Sequence, residues 1–413
     1  MYLTTEQQDI LAGKYGEVKK LAMETLVKIG EINGAKRFIP VKSVHLVLHA
    51  YKSAFDAGVE TAEKIAEMGG RFCGPTTIDP YGMDAENWKA ARTPEHYAQQ
   101  QQRLERAVNK MGVIPNWTCT PYFGFTSPRI GEHLAWSESS AVAYANTALG
   151  ARTNRQTAIV DIFCGILGIA PEIGLHLDEN RKCQVLVQLK VDRPLKNWEY
   201  PALGYLLGQK LGARIGVVEG MVGSPTNDDL KAFCSSAAAA GSVALMHIVG
   251  VTPEATTKET AFGGNIPEET ITVTENDIVE MRKGMCSNTT DKVDFVALGC
   301  PHYSISEIIK VHELLNGRHV HPDTAFWIYA NSYALRLSEK MGIRQELEEL
   351  GVVIRAETCM IISAVNPEWG FQTMMTDSGK CSYYGPAECG TEMIFASVEE
   401  CVESAVSGKM EIF

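Results

Sequence analysis

The second half of the chain alternates short apolar runs with longer amphipathic ones, and this alternation limits the folds that the sequence can adopt. A run typical of a buried strand precedes one with helical spacing in CQVLVQLKV then PALGYLLGQKLG, and again in ARIGVVEGM then NDDLKAFCSSAAAAG. The pattern continues through VDFVALGCPHYS, ISEIIKVHELLNG and TAFWIYANS. Strands that alternate with helices pair in parallel, so the sequence predicts an α/β protein with mostly parallel sheets.

The first half of the chain opens with helical segments and continues with a predicted strand–helix–strand unit. The strand FIPVKSVHLVLHA precedes the helix AGVETAEKIAEMGG, and the strand and turn RFCGPTTIDPYGMD follow. This order is typical of a βαβ unit. A polar-faced helix is predicted between Pro94 and Gly112, where a glycine ends it.

The segment from Pro115 to Arg155 differs in composition from the segments before it. It is rich in Pro, Gly, Ser, Thr, Asn and aromatic residues. Irregular stretches of this length inside a compact domain are usually functional. Only its second half, from Ser139 to Ala148, predicts a helix.

Length and composition bound the class of protein. A chain of 413 residues is too long for one ordinary core, so two or three closely packed subdomains are predicted, with boundaries near 155 and 290. The net charge of −12, without a basic block, argues against nucleic acid as the main partner. No apolar run is long enough to cross a membrane. The start of the chain resembles no signal peptide, which predicts a cytoplasmic protein.

Three of the eleven cysteines stand in polar contexts where predicted strands or loops end. Cys300 follows VDFVALG, Cys359 follows VVIRAET, and Cys119 lies at the head of the long polar stretch. Ligands collect outside the carboxyl ends of strands in open α/β sheets. Cysteines in apolar or helical contexts predict inert core thiols: Cys164, Cys183, Cys234 and Cys401. Without a CxxC pair, a zinc ribbon is ruled out.

Longer stretches around these cysteines resemble the signature segments of the aconitase X family. They are NWTCTPY, GEHLAWSESSAVAYANTALGARTNR, VDFVALGCPHYS, AETCMI and TDSGKCSYYGP. The resemblance covers nearly the whole chain. It implies an aconitase-like fold of several three-layer α/β/α domains around a central cleft. It also implies a dehydratase, acting on cis-3-hydroxy-L-proline in bacterial members and on mevalonate 5-phosphate in archaeal ones.

The resemblance implies an iron centre held by Cys119, Cys300 and Cys359. Dehydration removes a weakly acidic carbon-bound proton and expels hydroxide, and an iron with one open position binds that hydroxyl as a Lewis acid. Aconitase supplies two of its ligands from a CxxC pair, whereas Tyr303 stands three residues after Cys300 here. A 4Fe–4S cluster, a 2Fe–2S cluster and a mononuclear iron therefore all stay open.

Several polar side chains have a structural and a functional interpretation. Ser139 or Ser140 caps a helix, or the N-terminus beyond Glu138 binds an anion. Asp79 and Pro80 form an ordinary Asp-Pro turn or line a pocket. The resemblance implies a substrate pocket formed by His49, Ala50, Asp79, Pro80, Glu138, Ser139 and Lys380.

The catalytic groups predicted by the resemblance are Glu138, Ser139, Lys380 and His302. Lys380 lies among small residues in TDSGK, which lacks the spaced glycines of a phosphate loop. As a charge partner it would bind a substrate carboxylate or phosphate. His302, two residues after Cys300, orients water or substrate, or is structural.

Two sequence features disagree about the substrate. In HLVLHAY, from His45 to Tyr51, the resemblance to archaeal members of the family implies a glycine–serine surface that would suit a phosphate, and this chain has Leu48, His49 and Ala50 there instead. Loss of that hydroxyl favours a hydroxyproline over mevalonate 5-phosphate, whereas DPYGMD is closer to the archaeal loop. Asp79, where relatives usually carry asparagine, adds a negative charge to the pocket.

Aconitase relatives also need a swivelling domain that brings a catalytic serine to the substrate. We expect residues 1–413 to be a catalytic large subunit, with the swivelling domain and its serine on a separate small subunit. Two alternatives remain from the residues themselves. One is a metal-free thiol enzyme that uses Cys300 with His302 as base, and the other is a non-catalytic iron sensor or scaffold.

Overall fold

The computed structural model describes residues 1–48, 50–85, 87–363 and 369–412. The α-helices of these residues are α1 (Thr5–Leu11), α2 (Glu17–Ile32), α3 (Tyr51–Glu67), α4 (Glu95–Met111), α5 (Ser139–Thr147), α6 (Ala158–Leu167), α7 (Glu199–Leu211), α8 (Asn227–Ala240), α9 (Lys258–Phe262), α10 (Glu275–Gly284), α11 (Ile305–Leu315), α12 (Ser332–Lys340), α13 (Ile343–Glu349), α14 (Gly379–Cys389) and α15 (Val398–Ser407). The strands are β1 (Phe38–Pro40), β2 (Val44–Leu46), β3 (Thr76–Ile78), β4 (Ala135–Trp136), β5 (Ile169–Pro171), β6 (Val185–Lys190), β7 (Gly216–Glu219), β8 (His247–Ile248), β9 (Glu269–Thr274), β10 (Phe295–Tyr303), β11 (Ala325–Ala330), β12 (Val352–Ala356), β13 (Thr373–Thr376) and β14 (Glu392–Phe395).

Three parallel sheets follow one another along the described chain. The first has the order β3-β2-β4, the second β8-β7-β6-β9 and the third β12-β11-β10-β13-β14. All neighbours within these sheets are parallel, and among the strands of the described residues only the short pair β1–β5 is antiparallel. The predicted α/β fold with mostly parallel sheets is therefore confirmed, as is the β2–α3–β3 unit.

Each parallel sheet has apolar side chains on both faces and helices packed against it. Leu46 and Ile78 are fully buried in the first sheet, Val187 and Val218 in the second. The third sheet buries β10 along its whole length. Full burial of one such aliphatic side chain contributes about 1.5–3 kcal/mol. The near-continuous apolar strands of the sequence are explained by this two-sided burial.

Helix starts in the second half are set by side-chain caps. Thr226 before α8 accepts a hydrogen bond from the amide of Asp229, whose carboxylate bonds back to the Thr226 amide. Ser304 and Glu307 form the same reciprocal arrangement before α11. These boxes are local and can be read from sequence.

The strand predicted to end at Gly299 runs on to Tyr303. Its parallel pairing with β11 is regular up to Leu298, is then interrupted, and resumes where Tyr303 lies opposite Ala330. Gly299 makes the interruption possible because its φ is +99°, a conformation that side-chain-bearing residues rarely adopt. Cys300 is thereby placed within a kinked strand and not in a free loop.

No helix in the described ranges combines the length and the apolar character that a bilayer crossing demands.

Candidate active site

Five of the predicted site residues lie near the carboxyl ends of strands in two parallel sheets. Asp79 follows β3 and Glu138 follows β4 in the first sheet. In the third sheet Cys300 lies near the end of β10, Cys359 follows β12, and Lys380 follows β13. Lys380 interacts electrostatically with Asp79, Glu138 and Cys300, so the two sheet edges meet at one place. This is the position where ligands of α/β proteins collect.

Glu138 caps helix α5 and binds Lys380. Its carboxylate accepts hydrogen bonds from the Ala141 amide at 2.5 Å and the Ser140 hydroxyl at 2.6 Å, and lies 2.5 Å from Lys380 Nζ. Burial alone would raise the pKa of Glu138, but Lys380 and these hydrogen bonds outweigh it and lower the pKa to about 2. Glu138 is thus a buried anion that fixes the Lys380 ammonium.

The helix cap is therefore Glu138 and not Ser139 or Ser140. Ser139 is half-buried, and its hydroxyl lies 3.3 Å from Glu138 Oε1. It remains partly accessible at the same helix start.

The three cysteines predicted as iron ligands are buried and interact with one another. Cys300 and Cys359 are hydrogen-bonded to each other, which lowers the pKa of Cys359 and raises that of Cys300. The backbone N–H of Ile361 also donates to Cys359 Sγ at 3.4 Å. Burial raises the pKa of Cys119, and the nearby Lys380 opposes this rise. The two thiols therefore form one buried, hydrogen-bonded pair.

These thiols suit an iron centre in their chemistry. Thiolates are the ligands of iron–sulfur clusters, and a neighbouring ammonium such as Lys380 offsets their negative charge. Taken over the described ranges, however, no group of three or more His, Cys, Asp or Glu side chains is arranged so that it could hold a metal ion. The three thiols are therefore of the chemical type that binds iron. In this structure they are neighbours, but they are not arranged as a complete set of metal ligands.

His302 joins the segments that carry the three cysteines. Its backbone N–H donates to Cys119 Sγ at 3.3 Å, and its ring Nε2 lies 2.7 Å from the carbonyl oxygen of Thr358. Since a carbonyl only accepts, Nε2 carries the proton and Nδ1 accepts from the Thr118 hydroxyl at 3.1 Å. Burial lowers the pKa of His302 to about 4, so the ring is neutral near pH 7. Both ring nitrogens are thus occupied by protein groups, and the catalytic role predicted for His302 stays a prediction.

The loop of Asp79 and Pro80 packs against the segment of Cys359. The amide of Tyr81 donates to the Glu357 carbonyl at 2.7 Å, and the Thr358 hydroxyl donates to the Tyr81 carbonyl at 2.8 Å. Asp79 is buried and interacts electrostatically with Cys119 and Lys380.

Ala50 lies at the start of α3, where the sequence left open a phosphate site. The Tyr51 amide donates to Gln101 Oε1 at 2.8 Å, and the Lys52 amide donates to the Tyr97 hydroxyl at 3.3 Å. Two of the backbone donors that an anion would need are therefore already bound. His49, the other predicted pocket residue of this segment, lies outside the described residues.

Two functional candidates escaped the sequence interpretation. His45 on β2 is fully buried between Thr77 and Asp79, and Lys231 on α8 is buried and donates to the His302 carbonyl at 3.3 Å. Burial lowers the pKa of Lys231, but the neighbouring Glu307 and Asp228 carboxyl groups outweigh it and raise the pKa. In the sequence, a lysine on a helix predicts only a solvated face, so no signal marked Lys231.

Comparison with known proteins agrees with this arrangement. Residues 1–179 match the sequence profile of the aconitase X first domain, 183–283 that of the second and 293–407 that of the third. The chain belongs to the aconitase X family. The resemblance inferred from sequence is thereby confirmed.

Relatives that are named as dehydratases align over nearly the whole chain. A phosphomevalonate dehydratase large subunit from Methanosarcina mazei is 37% identical over 99% of this chain and 98% of its own length. A cis-3-hydroxy-L-proline dehydratase from Pseudomonas aeruginosa is 35% identical over 97% of this chain and 69% of its own. The crystal structure of Thermococcus kodakaraensis aconitase X in its holo-form superposes with a TM-score of 0.89 at 34% identity, covering 98% of this chain and all of that one. The aconitase-like fold is therefore shown.

Proposed function

We propose that the protein is a dehydratase that eliminates water from a small 3-hydroxy acid. One observation carries the proposal: a buried, ion-paired lysine stands beside three interacting thiols at the edge where two parallel sheets meet. Relatives named dehydratases align over nearly the whole length of the chain. The names of these relatives count against the alternative of a non-catalytic sensor or scaffold.

Cys119, Cys300 and Cys359 are proposed to hold the iron centre, as an iron–sulfur cluster or a single iron. When bound, iron with an open position would act as a Lewis acid toward the departing hydroxyl. The ammonium of Lys380 neutralises thiolate charge and offers a donor to the substrate carboxylate. Ser139, half-buried beside it, is proposed as a second donor to the same carboxylate.

The reaction is a β-elimination. A base takes the proton from the carbon next to the carboxylate, and the electron pair of that C–H bond forms the C=C bond. The C–O bond at the next carbon breaks, and the released hydroxide takes up one proton, so that the net loss from the substrate is one water. A carbanion next to a carboxylate places extra charge on the carboxylate oxygens. Lys380 therefore stabilises the transition state more than the ground state. His302 keeps the cysteine segments together and is assigned no proton transfer.

Hydroxyproline of the cis-3-hydroxy-L-proline type is the preferred substrate. Ala50 offers no hydroxyl, and the first amides of α3 are bound by Gln101 and Tyr97, which leaves little for a phosphate. Mevalonate 5-phosphate is the second candidate, since several aligned relatives are named for it. Both substrates carry a hydroxyl on the carbon next to the one that loses its proton.

A metal-free thiol mechanism is the more distant alternative. It needs His302 as a base for Cys300, but the His302 ring is bound to Thr118 and Thr358. The pKa of Cys300 is raised by its contact with Cys359 and by burial. A reactive cysteine needs the opposite shift.

A separate small subunit is proposed as partner, because relatives of matching length are named large subunits. It would carry the swivelling domain and the serine that removes the carbon-bound proton. The three parallel sheets are proposed as the centres of three subdomains packed around the site.

The first test measures iron and acid-labile sulfide per chain in protein purified without oxygen. Wild type should contain both or iron alone, and Cys119→Ser, Cys300→Ser and Cys359→Ser should each lose most of the iron. Cys234→Ser, at a buried thiol in the core that packs against the second sheet, is the matched control and should keep the iron. Iron near zero in reconstituted wild type would contradict the proposal that the three cysteines bind iron. The substrate is tested separately. Iron-containing wild type is mixed with the small subunit, and turnover of cis-3-hydroxy-L-proline is measured.

A further inference from the structure

Lys231 on α8 is a buried lysine at the point where the three matched domains, residues 1–179, 183–283 and 293–407, meet. Its side chain is only 2% exposed. Lys231 belongs to the second domain, and its Nζ lies 5.7 Å from the ring centre of Phe123 in the first domain. In the third domain it lies 3.3 Å from the carbonyl oxygen of His302. An ammonium withdrawn from water is costly unless polar or charged groups compensate it.

Two carboxyl groups compensate this ammonium. Glu307 on α11 forms an ion pair with Nζ, and Oδ1 of Asp228, one helical turn before Lys231, lies 3.3 Å from Nζ. Ser304 connects the two carboxyl groups, because its hydroxyl donates to Asp228 at 2.8 Å and its backbone N–H donates to Glu307 at 2.8 Å. For stability alone, well-packed apolar residues often serve as well as a buried ion pair. The contact that no apolar side chain can replace is the hydrogen bond to the His302 carbonyl.

This carbonyl lies in the stretch of β10 between Leu298 and Tyr303, where the strand is out of register with its neighbours. Within the described sheet, β11 pairs with β10 up to Leu298 and again at Tyr303, and β13 pairs only with the first two residues of β10. Cys300 and His302 both lie in the stretch. Buried backbone groups in such a stretch need hydrogen-bond partners from other elements.

Three side chains from different elements bind this stretch. The Ser378 hydroxyl donates to the carbonyl oxygen of Cys300, and the Lys231 ammonium donates to the carbonyl oxygen of His302. Cys119 Sγ accepts a hydrogen bond from the backbone N–H of His302 at 3.3 Å. Lys231 and Cys119 therefore bind the two ends of the same residue. A shift of the His302 carbonyl would move the N–H that reaches Cys119.

We propose that Lys231 is a positioning residue that holds the His302 carbonyl and thereby fixes the segment of Cys300 relative to Cys119. The three thiols of the candidate site lie in the first and third domains. Through Lys231, the second domain would set the geometry of a site to which it contributes no thiol. This inference deepens the proposed function and rests on it where the thiols are taken to bind iron.

Two variants separate positioning from charge compensation. Lys231→Met removes the ammonium and leaves the carboxyl groups of Glu307 and Asp228 without it, so the melting temperature should fall. The double variant Lys231→Met/Glu307→Gln removes one of these carboxyl groups and keeps an oxygen for the Ser304 N–H. Its melting temperature should return most of the way to that of wild type. Both variants lack the donor to the His302 carbonyl.

Hydrogen exchange of the full chain, followed by mass spectrometry on the peptide that contains the His302 amide, measures the positioning directly. Both variants should exchange this amide about 10- to 100-fold faster than wild type, as expected for the loss of a hydrogen bond from a charged donor. Lys258→Met, which breaks a partly exposed ion pair with Glu219 in the second domain, is the control and should exchange like wild type. Exchange that is fast in Lys231→Met but normal in the double variant would show that Lys231 only balances the carboxyl groups. That result would overturn the proposal.

Iron release to a chelator tests the same effect at the thiols. Iron-loaded double variant should release iron about 10- to 100-fold faster than wild type and Lys258→Met, which is the usual effect of removing a residue that orients metal ligands. Equal release rates would overturn the role of Lys231 at the site. Wild type that holds no iron would overturn the proposed function alone. Exchange of the His302 amide would then decide the inference, because fast exchange in the double variant supports it and normal exchange overturns it.

Discussion

The imidazole of His302 donates from Nε2 to the carbonyl oxygen of Thr358 at a distance of 2.7 Å. This bond joins the strand that carries Cys300 to the residue before Cys359, and Nδ1 accepts from Thr118, the residue before Cys119. One buried ring therefore fixes three segments that are far apart in sequence. In enzymes generally, displacing a catalytic or ligand-binding group by about 1 Å lowers activity strongly.

We predict that His302→Ala lowers the free energy of unfolding by about 2–5 kcal/mol, because it leaves a buried carbonyl and a hydroxyl unbonded and opens a cavity. Iron retention should fall with it. His302→Asn, which keeps a short amide in the same place, should lose less. Urea unfolding followed by fluorescence measures the first effect. An unchanged midpoint in His302→Ala would contradict the bridging role.

The ion pair of Glu138 and Lys380 should show strong coupling. Glu138→Gln or Lys380→Met alone leaves one buried charge unpaired and should cost about 3–5 kcal/mol of stability. The double variant should cost clearly less than both single costs combined. Asp9→Asn, which breaks the exposed pair with Lys14, is the control and should change nothing measurable. Additive single costs would show that the two charges do not interact.

This pair also predicts a dependence on pH. The pKa of Glu138 is lowered from 4.5 to about 2 in the folded protein. Its contribution to stability is therefore fully present above about pH 4.5 and is lost as the pH falls toward 2. The stability difference between wild type and Glu138→Gln, followed by urea titration from pH 7 to pH 3, should shrink below pH 4.5.

Asp161 on α6 should act in the opposite direction. Burial raises its pKa from 3.8 to about 7, against hydrogen bonds from Ser137 and Gln156 that oppose the rise. A raised folded pKa contributes stability below about pH 4 that disappears as the pH rises through 7, about 4 kcal/mol in all. Asp161→Asn should therefore flatten the fall in melting temperature between pH 4.5 and 8. Parallel curves for the two proteins would contradict the shift.

Gly299 should not tolerate a side chain. A Cβ there would meet the Tyr329 carbonyl oxygen at 2.1 Å, and the backbone φ of +99° disfavours any other residue. Gly299→Ala should destabilise the protein by about 3 kcal/mol or more. Gly284→Ala is the matched control, because its Cβ meets no atom within 4 Å at an exposed helix end. It should leave stability unchanged or raise it by about 0.5–1 kcal/mol. Differential scanning calorimetry compares both variants.

The sheets and the strand-end positions of the site were predictable because their signals are local. The apolar run from Val185 to Lys190 marks a strand wherever it is placed, and the rule of carboxyl ends selects Cys300 and Cys359. The buried polar residues that contact the site were not predictable. His45 and Lys231 are ordinary in sequence, and only the fold brings Asp79 to the first and the His302 carbonyl to the second. Their roles depend on distant partners, which periodicity cannot report.

The kink at Gly299 was missed for a related reason. A glycine after an apolar run predicts the end of a strand, yet here the pairing resumes at Tyr303 opposite Ala330. The decision is made by the neighbouring strand and not by the local sequence. The cap of α5 was missed for a similar reason. Glu138 accepts a hydrogen bond from its own helix and a second one from Lys380, which is distant in sequence.

The bonds that build the site span most of the chain: 242 residues separate Glu138 from Lys380, and 183 separate Cys119 from His302. A nascent chain emerging from the ribosome therefore holds Cys119 and Glu138 long before their counterparts exist. The pocket can close only after Lys380 has left the exit tunnel. The iron proposed for Cys119, Cys300 and Cys359 would accordingly be inserted late, into a chain of which all but the last residues have already been made.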